Sequence, residues 1–159
     1  MPCGVSIRRA THHDAQAISD LIMYFADQFV TPGEIFSQET PYYHEITPDA
    51  IETLIASENC EYFVCEIDGV TQGVGSLRDT HHIGHLFVAE QYQRRGIASM
   101  LWEVLLAEAK ANSTSTTMTV NFSVCAIPFY EYLGFHKIGD RIDKNGVSFV
   151  PMEYEGEGD

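Results

Sequence analysis

The sequence predicts an α/β domain in which a mixed central sheet of about seven strands carries helices on both faces. Three observations favour this fold class. Apolar segments of strand length alternate with segments of helical period, Asp68-Gly69 is a strong hairpin signal between two strands, and a turn at Gly96 connects a strand directly to a helix. Because the chain has 159 residues, we expect one domain over 1–154 and an acidic tail at 155–159.

The first third of the chain predicts a strand and two helices. Residues 5–8 have the composition of a short strand, and Thr11 begins a capping-box pattern that precedes an amphipathic helix. Residues 30–46 contain proline, glycine and aromatic residues without a clean period, which indicates a loop or a short irregular helix. Thr47 as N-cap and Pro48 as first helical residue then predict the second helix.

The middle of the chain predicts three strands and a long helix. Strands at 61–67 and 71–77 flank the Asp68-Gly69 turn, and a third strand follows at 83–88. The helix after Gly96 places its apolar residues on one side, which favours packing against a sheet.

The last third predicts three more strands, which lie at 116–122, 135–138 and 147–152. A short helix at 127–133 separates the first two, and Gly134 stands where a left-handed C-terminal residue belongs. Asn145-Gly146 turns the chain into the final strand.

Composition excludes several classes of partner. Nine basic against 23 acidic residues give a net charge of −14, which disfavours nucleic acid and anionic membranes. We read this charge either as a means of solubility or as an attraction for a cationic amine. The chain lacks a long apolar run and a signal-peptide pattern, so a cytoplasmic location is expected. The four cysteines are interpreted as free thiols.

Residues 93–98, with the sequence QRRGIA, form a turn suited to an anion. Gly96 allows close approach to backbone N–H groups, and the following helix directs unpaired amides to the same point. With PFYEYLGF at 128–135, this turn resembles the GCN5-related N-acetyltransferase (GNAT) family. The resemblance implies a mostly antiparallel GNAT-like sheet, acetyl-CoA as co-substrate and N-acetyl transfer to a primary amine.

The resemblance also implies the residues that hold the cofactor. They are Leu86, Phe87 and Val88 for the pantetheine, by their main chain, and Gln93, Arg94, Arg95, Gly96, Ile97, Ala98 and Ser99 for the pyrophosphate. The family's cofactor-binding asparagine is replaced here by Ser123, and Asn121 could reach the same region. Both assignments stay open.

Two residues are predicted to carry the chemistry. Tyr130 matches the family's general acid, and its usual pKa near 10 keeps it protonated at neutral pH. His82, fourteen residues before Gly96, matches the position of a base that accepts the amine proton. The alternatives are a packing tyrosine and a surface histidine.

Strand alternation limits the neighbouring histidines. If His82 faces the cleft, then His81 and His85 face away, unless a bulge resets the alternation. His81 and His85 would be about 13 Å apart on a regular strand, which disfavours a metal site. Cys125 is the candidate for a covalent route, but the sequence offers it no evident base.

The acceptor is expected to be a small-molecule or peptide amine. Aromatic residues around the expected acceptor loop are either its lining or ordinary core, and they are Phe25, Phe29, Phe36, Tyr42 and Tyr43. Glu34, Glu39 or Glu45 would suit a cationic acceptor. A homodimer through an exposed sheet edge is possible. The alternative function is a non-catalytic acyl-CoA sensor or protein-interaction module with the same fold.

Overall fold

The computed structural model describes residues 4–112, 117–122 and 126–155. The strands of these residues are β1 Val5–Arg9, β2 Cys60–Ile67, β3 Val70–Arg78, β4 His82–Val88, β5 Thr117–Phe122, β6 His136–Lys137, β7 Ile142–Lys144 and β8 Val147–Glu155. The α-helices are α1 Ala15–Phe25, α2 Pro48–Ala56, α3 Ile97–Asn112 and α4 Ile127–Leu133. Short 3-10 helices occur at His12–Asp14, Ala26–Gln28, Pro41–Glu45 and Glu90–Tyr92.

The strands form one mixed sheet in the order β1-β2-β3-β4-β5-β8-β6, and β7 pairs with β8. Within the described residues every strand pair is antiparallel except β4 with β5. The predicted mixed, mostly antiparallel sheet is therefore confirmed. The sheet has eight strands rather than about seven, because β7 was not predicted: its three residues are all exposed, so no apolar alternation marks them.

The helices cover both faces of the sheet, as predicted. On one face, α3 and α4 pack against a core that includes Leu101, Leu105 and Tyr130. On the other face, α1 and α2 pack against a second core that includes Ile18 and Ile51. Alternate strand residues supply the two cores, as the pleat of a strand requires.

Helix boundaries differ from the sequence prediction at α1. The Thr11 backbone N–H donates to Asp14 Oδ2 at 2.7 Å, which stabilises a 3-10 turn before the α-helix begins at Ala15. The α-helix ends at Phe25 and continues as a 3-10 turn. Strand β8 reaches Glu155, one residue beyond the expected end of the domain.

The parallel pair β4–β5 creates an opening in the sheet. In the described residues the pairing joins only His82 to Thr119 and Ile83 to Val120. Beyond Ile83, β4 continues along β3 as far as Val88, whereas β5 continues along β8. The inner edges of β4 and β5 therefore diverge, and this gap positions the site. No helix within the described ranges is long and apolar enough to cross a membrane.

Candidate active site

A cavity of about 690 Å³ lies between the C-terminal half of β4, the N-terminus of α3 and the helix α4. We call it the turn cavity. Many predicted cofactor residues line it, together with the predicted acid: Leu86, Phe87, Val88, Gln93, Arg94, Gly96, Ala98, Ser99 and Tyr130. The structure therefore brings the two sequence motifs together around one space.

The turn before α3 has the backbone that the sequence predicts. Gly96 has φ +82, a left-handed conformation that glycine adopts without strain. A Cβ at Gly96 would meet nothing within 4 Å, so backbone conformation rather than crowding favours glycine. Arg94 also lies in the left-handed region, at φ +65. The Gln93 side-chain amide donates to the Val88 carbonyl at 3.0 Å and so ties the turn to β4.

The N-terminus of α3 supplies donors to the turn cavity. The Met100 N–H donates to the Gly96 carbonyl at 3.0 Å, which is the first hydrogen bond of the helix. The preceding amides of Ile97, Ala98 and Ser99 have no acceptor within the helix. Since Ala98 and Ser99 line the cavity, these amides and the positive end of the helix dipole form a site for an anion.

Two predicted turn residues are placed differently from the others. The Arg95 guanidinium lies over the Tyr92 ring, 5.6 Å from its centroid, and Arg95 does not line the turn cavity. A contact between the Arg95 guanidinium and the cofactor therefore stays a prediction, whereas Arg94 lines the cavity directly. The Ile97 side chain is buried in the α3 core, so Ile97 can contribute only its backbone.

Tyr130 lies in α4 and is almost completely buried, with 1% of its surface exposed. Its ring packs edge-on against Phe129 and Phe135, at centroid distances of 5.4 and 5.3 Å. Burial raises the pKa of the Tyr130 phenol well above its usual value. Gly134, at φ 105, ends the helix as predicted. Tyr130 therefore keeps its proton across the physiological pH range.

A second cavity, of about 560 Å³, lies beside the N-terminal half of β4 on the α1 and α2 side of the sheet. We call it the histidine cavity because His82 and His85 both line it. The His82 Nδ1 lies 2.8 Å from Thr119 Oγ1 on β5. Burial, with a smaller contribution from Arg78, lowers the pKa of His82 to about 4. His82 is therefore neutral at pH 7.

A β-bulge explains why two histidines three positions apart share one face. Gly75 pairs with Leu86 and Leu77 pairs with Ile83, so Gly84 and His85 together oppose Ser76. Regular alternation would turn His85 away from His82, and the bulge that the prediction allowed as an exception places both on one face. The glycine inside the strand was the available signal.

Ser76 holds the bulge in place. The His85 backbone N–H donates to Ser76 Oγ at 2.9 Å, and both residues are buried. The His85 ring lies 5.9 Å from the Tyr62 ring and 6.1 Å from the Phe87 ring. Burial, followed by Arg78, lowers the pKa of His85 to about 4. His85 is thus a second neutral imidazole that sequence analysis did not assign to the site.

A smaller cavity of about 70 Å³ lies between the two larger ones. It shares Phe29 and Phe87 with the turn cavity, and His85 and Asn121 with the histidine cavity. Asn121 therefore borders the histidine side rather than the turn cavity where a cofactor contact was expected. Ser123, the other residue considered for that contact, lies outside the described residues, as does Cys125.

The aromatic residues expected around the acceptor loop divide between the cavities. Phe25 and Phe29 line the turn cavity, and Phe25 stacks on Phe87 at 5.8 Å. Tyr42 lines the histidine cavity. Phe36 and Tyr43 line neither of these cavities and pack against each other at 6.0 Å.

The sequence offered Glu34, Glu39 and Glu45 as acidic residues for a cationic acceptor. Of these three, Glu45 alone lines the histidine cavity, which is also lined by Arg78 and Lys144. Among the described residues there is no group of three or more histidine, cysteine, aspartate or glutamate side chains that could hold a metal ion.

Comparisons with known proteins agree with this architecture. A sequence model of the acetyltransferase (GNAT) domain matches residues 11–156. YafP of Escherichia coli, described as an uncharacterized N-acetyltransferase, is 36% identical over 81 residues, and this match covers 50% of the chain and 50% of YafP. The chain thus matches about half the length of that relative. The match to the domain model shows that the chain belongs to the GNAT family.

Solved structures share the fold over almost the whole chain. A GCN5-related N-acetyltransferase from Rhodopseudomonas palustris superposes with a TM-score of 0.76 at 20% identity, covering 94% of each chain. The PaiA N-acetyltransferase from Thermoplasma acidophilum, solved in complex with coenzyme A, superposes with a TM-score of 0.74 at 15% identity, covering 96% of this chain and 99% of the other. At these identities the likeness concerns the fold.

Proposed function

We propose that this protein transfers the acetyl group of acetyl-CoA directly to a primary amine of a small molecule or peptide. The observation that carries the proposal is that two cavities lie on either side of a smaller one, close to the gap where β4 and β5 diverge. One cavity contains the anion-binding turn and Tyr130, and the other contains two neutral histidines. Direct transfer needs the two reactants to approach from opposite sides of one point.

The turn cavity fits the cofactor. The open amides at the start of α3, the left-handed Gly96 and the Arg94 side chain suit a pyrophosphate. Beyond Ile83 the inner edge of β4 has no pairing with β5 in the described residues, so its main chain at Leu86–Val88 can pair with the amides of pantetheine. Acetyl-CoA, when bound there, supplies an activated acetyl thioester.

Tyr130 acts as the general acid in this proposal. Its buried phenol keeps its proton at neutral pH, because the raised pKa disfavours the phenolate. Its position in the lining of the turn cavity allows it to donate that proton when negative charge develops on a leaving sulfur.

His82 acts as the proton acceptor for the amine. The His82 Nδ1 contacts Thr119 Oγ1 at 2.8 Å. The proposal assigns the proton to Nδ1, which leaves the lone pair on Nε2 for the amine proton. The low pKa keeps His82 unprotonated, so it is available as an acceptor at pH 7. His85 lines the same cavity and is the second residue that could accept the proton.

An acceptor screen tests the proposal. Purified protein is mixed with acetyl-CoA and a panel of amines, polyamines, amino acids and peptides, and release of free CoA thiol is followed. We expect release that depends on the amine, with the N-acetylated product visible by mass spectrometry. CoA binding without amine-dependent release across the panel would instead identify a sensor. The cytoplasmic location and a homodimer stay predictions of the sequence.

A further inference from the structure

The histidine cavity has a charge opposite to that of the protein as a whole. The chain carries nine basic and 23 acidic residues, yet the charged residues that line this cavity are Arg78, Lys144 and one acid, Glu45. If the cavity accepted polyamines or other purely cationic amines, acidic side chains would be expected around it. The lining therefore indicates a different acceptor.

The two basic side chains of the histidine cavity interact only weakly with acidic side chains of the protein. Arg78 Nε lies 3.9 Å from Asp79 Oδ2, and both side chains are more than half exposed, so this pair contributes little. Lys144 makes no ion pair within the described part of the chain. By contrast, Glu45 accepts a hydrogen bond from Asn145 Nδ2 at 3.2 Å. The donors of Arg78 are thus largely available to a ligand, whereas one oxygen of Glu45 already accepts a hydrogen bond.

Arg78 lies close to the proposed chemistry. It ends β3 and pairs directly with His82 in the sheet register. Its charge contributes to lowering the pKa of both His82 and His85, opposed at His82 by Asp79 and reinforced there by His81. A positive field therefore extends over both imidazoles. That field attracts an anionic group and also favours the neutral, nucleophilic form of an amine placed beside it.

We propose that the acceptor carries a carboxylate as well as its primary amine, as an amino acid does, and that Arg78 and Lys144 bind this carboxylate. The inference rests on the proposed acetyl transfer and names its substrate class. A guanidinium binds a carboxylate by two parallel hydrogen bonds, which also orients the attached amine. The volume of about 560 Å³ and the walls formed by Tyr42, Leu54 and Phe149 suit a small amino acid-type molecule with an apolar body.

Matched acceptors test the inference. Phenylalanine, phenylalanine amide and phenethylamine share one body and differ in the carboxylate, and spermidine represents the polyamines. We expect kcat/KM to be about tenfold or more higher for phenylalanine than for either analogue that lacks the carboxylate, as for a charge-assisted bidentate contact. An equal or lower value for phenylalanine, or a preference for spermidine, would overturn the inference while leaving acetyl transfer intact.

Variants connect the preference to Arg78. In Arg78→Gln the ratio of kcat/KM between phenylalanine and its amide should fall to within about twofold, and Arg78→Lys should retain part of it. Arg141→Gln is the matched control, because Arg141 is another half-exposed arginine paired with a neighbouring aspartate, at 3.1 Å from Asp143, and it does not line the cavity. An unchanged ratio in Arg78→Gln would refute the assignment.

A binding experiment separates this inference from the proposed function. Calorimetry compares N-acetylphenylalanine with N-acetylphenylalanine amide, and needs no turnover. Tighter binding of the carboxylate form, lost in Arg78→Gln and kept in Arg141→Gln, supports the inference even for a protein without acetyl transfer. Equal binding of the two compounds refutes it. Absence of amine-dependent CoA release, by contrast, counts against the proposed function alone.

Discussion

Replacing Gly84 with alanine is expected to disturb the bulge that brings His85 beside His82. A Cβ on Gly84 would lie 2.8 Å from Ser76 Oγ, well inside van der Waals contact. The same oxygen accepts the buried His85 N–H at 2.9 Å, so it cannot move away without lengthening that bond. Overpacking of this kind costs about 1–3 kcal/mol. We expect Gly84→Ala to lower the free energy of unfolding by about 2 kcal/mol.

A double-mutant cycle isolates the contact. Ser76→Ala removes the obstructing oxygen but leaves the His85 N–H without its acceptor, which costs about 1–3 kcal/mol. Once that oxygen is absent, adding Gly84→Ala should cost little more, so the two changes should show a coupling energy of about 2 kcal/mol. Urea unfolding followed by circular dichroism measures all four proteins. Additive free energies would refute the view that Ser76 Oγ connects Gly84 to His85.

Three further predictions concern the proposed chemistry and the stability of the fold. Tyr130→Phe should lower kcat by about 100-fold or more with an unchanged Kd for CoA by calorimetry; a normal kcat would exclude the acid role. Arg94→Glu should weaken CoA binding by about tenfold or more, and Arg95→Glu should weaken it less, since only Arg94 lines the turn cavity; the reverse order would contradict the turn geometry. The pKa values of His82 and His85 are lowered to about 4, so the unfolded chain binds protons that the native state does not as the pH falls below about 6.5. The free energy of unfolding should therefore decrease from pH 6.5 to 4, by up to about 1.4 kcal/mol per pH unit for each histidine. Urea titrations of the double variant His82→Gln, His85→Gln should show a flatter dependence on pH.

Local backbone signals account for the elements that the sequence predicted correctly. Asp68 and Gly69 both have positive φ, 51 and 82, which is the conformation of the tight hairpin turn that this dipeptide favours. The Thr47 side chain accepts the Ala50 N–H and Pro48 begins the helix, as expected from their chemistry. Such signals depend on a few neighbouring residues, so one sequence is enough to interpret them.

The features that the sequence did not predict depend on contacts between distant residues. The bulge exists because Ser76 on β3 opposes two residues of β4, and strand alternation within β4 alone gives the opposite face for His85. Likewise, the glycine turn motif predicts an anion site but does not show which arginine lines the cavity beside it. No sequence pattern marked Arg78 as a candidate site residue, because its place beside His82 arises from the register between β3 and β4.

The bulge and the gap between β4 and β5 act together to define the two sides of the site. Among the described residues, Ile83 is the last of β4 that pairs with β5, and the bulge begins at the next residue. After the extra residue, Leu86 and Val88 enter the α3 core and Phe87 enters the α1 core. A regular strand would reverse these three side chains relative to His82. In the proposed reaction the cofactor motif therefore determines only one side of the site. The side proposed for the acceptor is shaped by the bulge, which adds His85 to the face of His82, and by Arg78 at the end of the neighbouring strand.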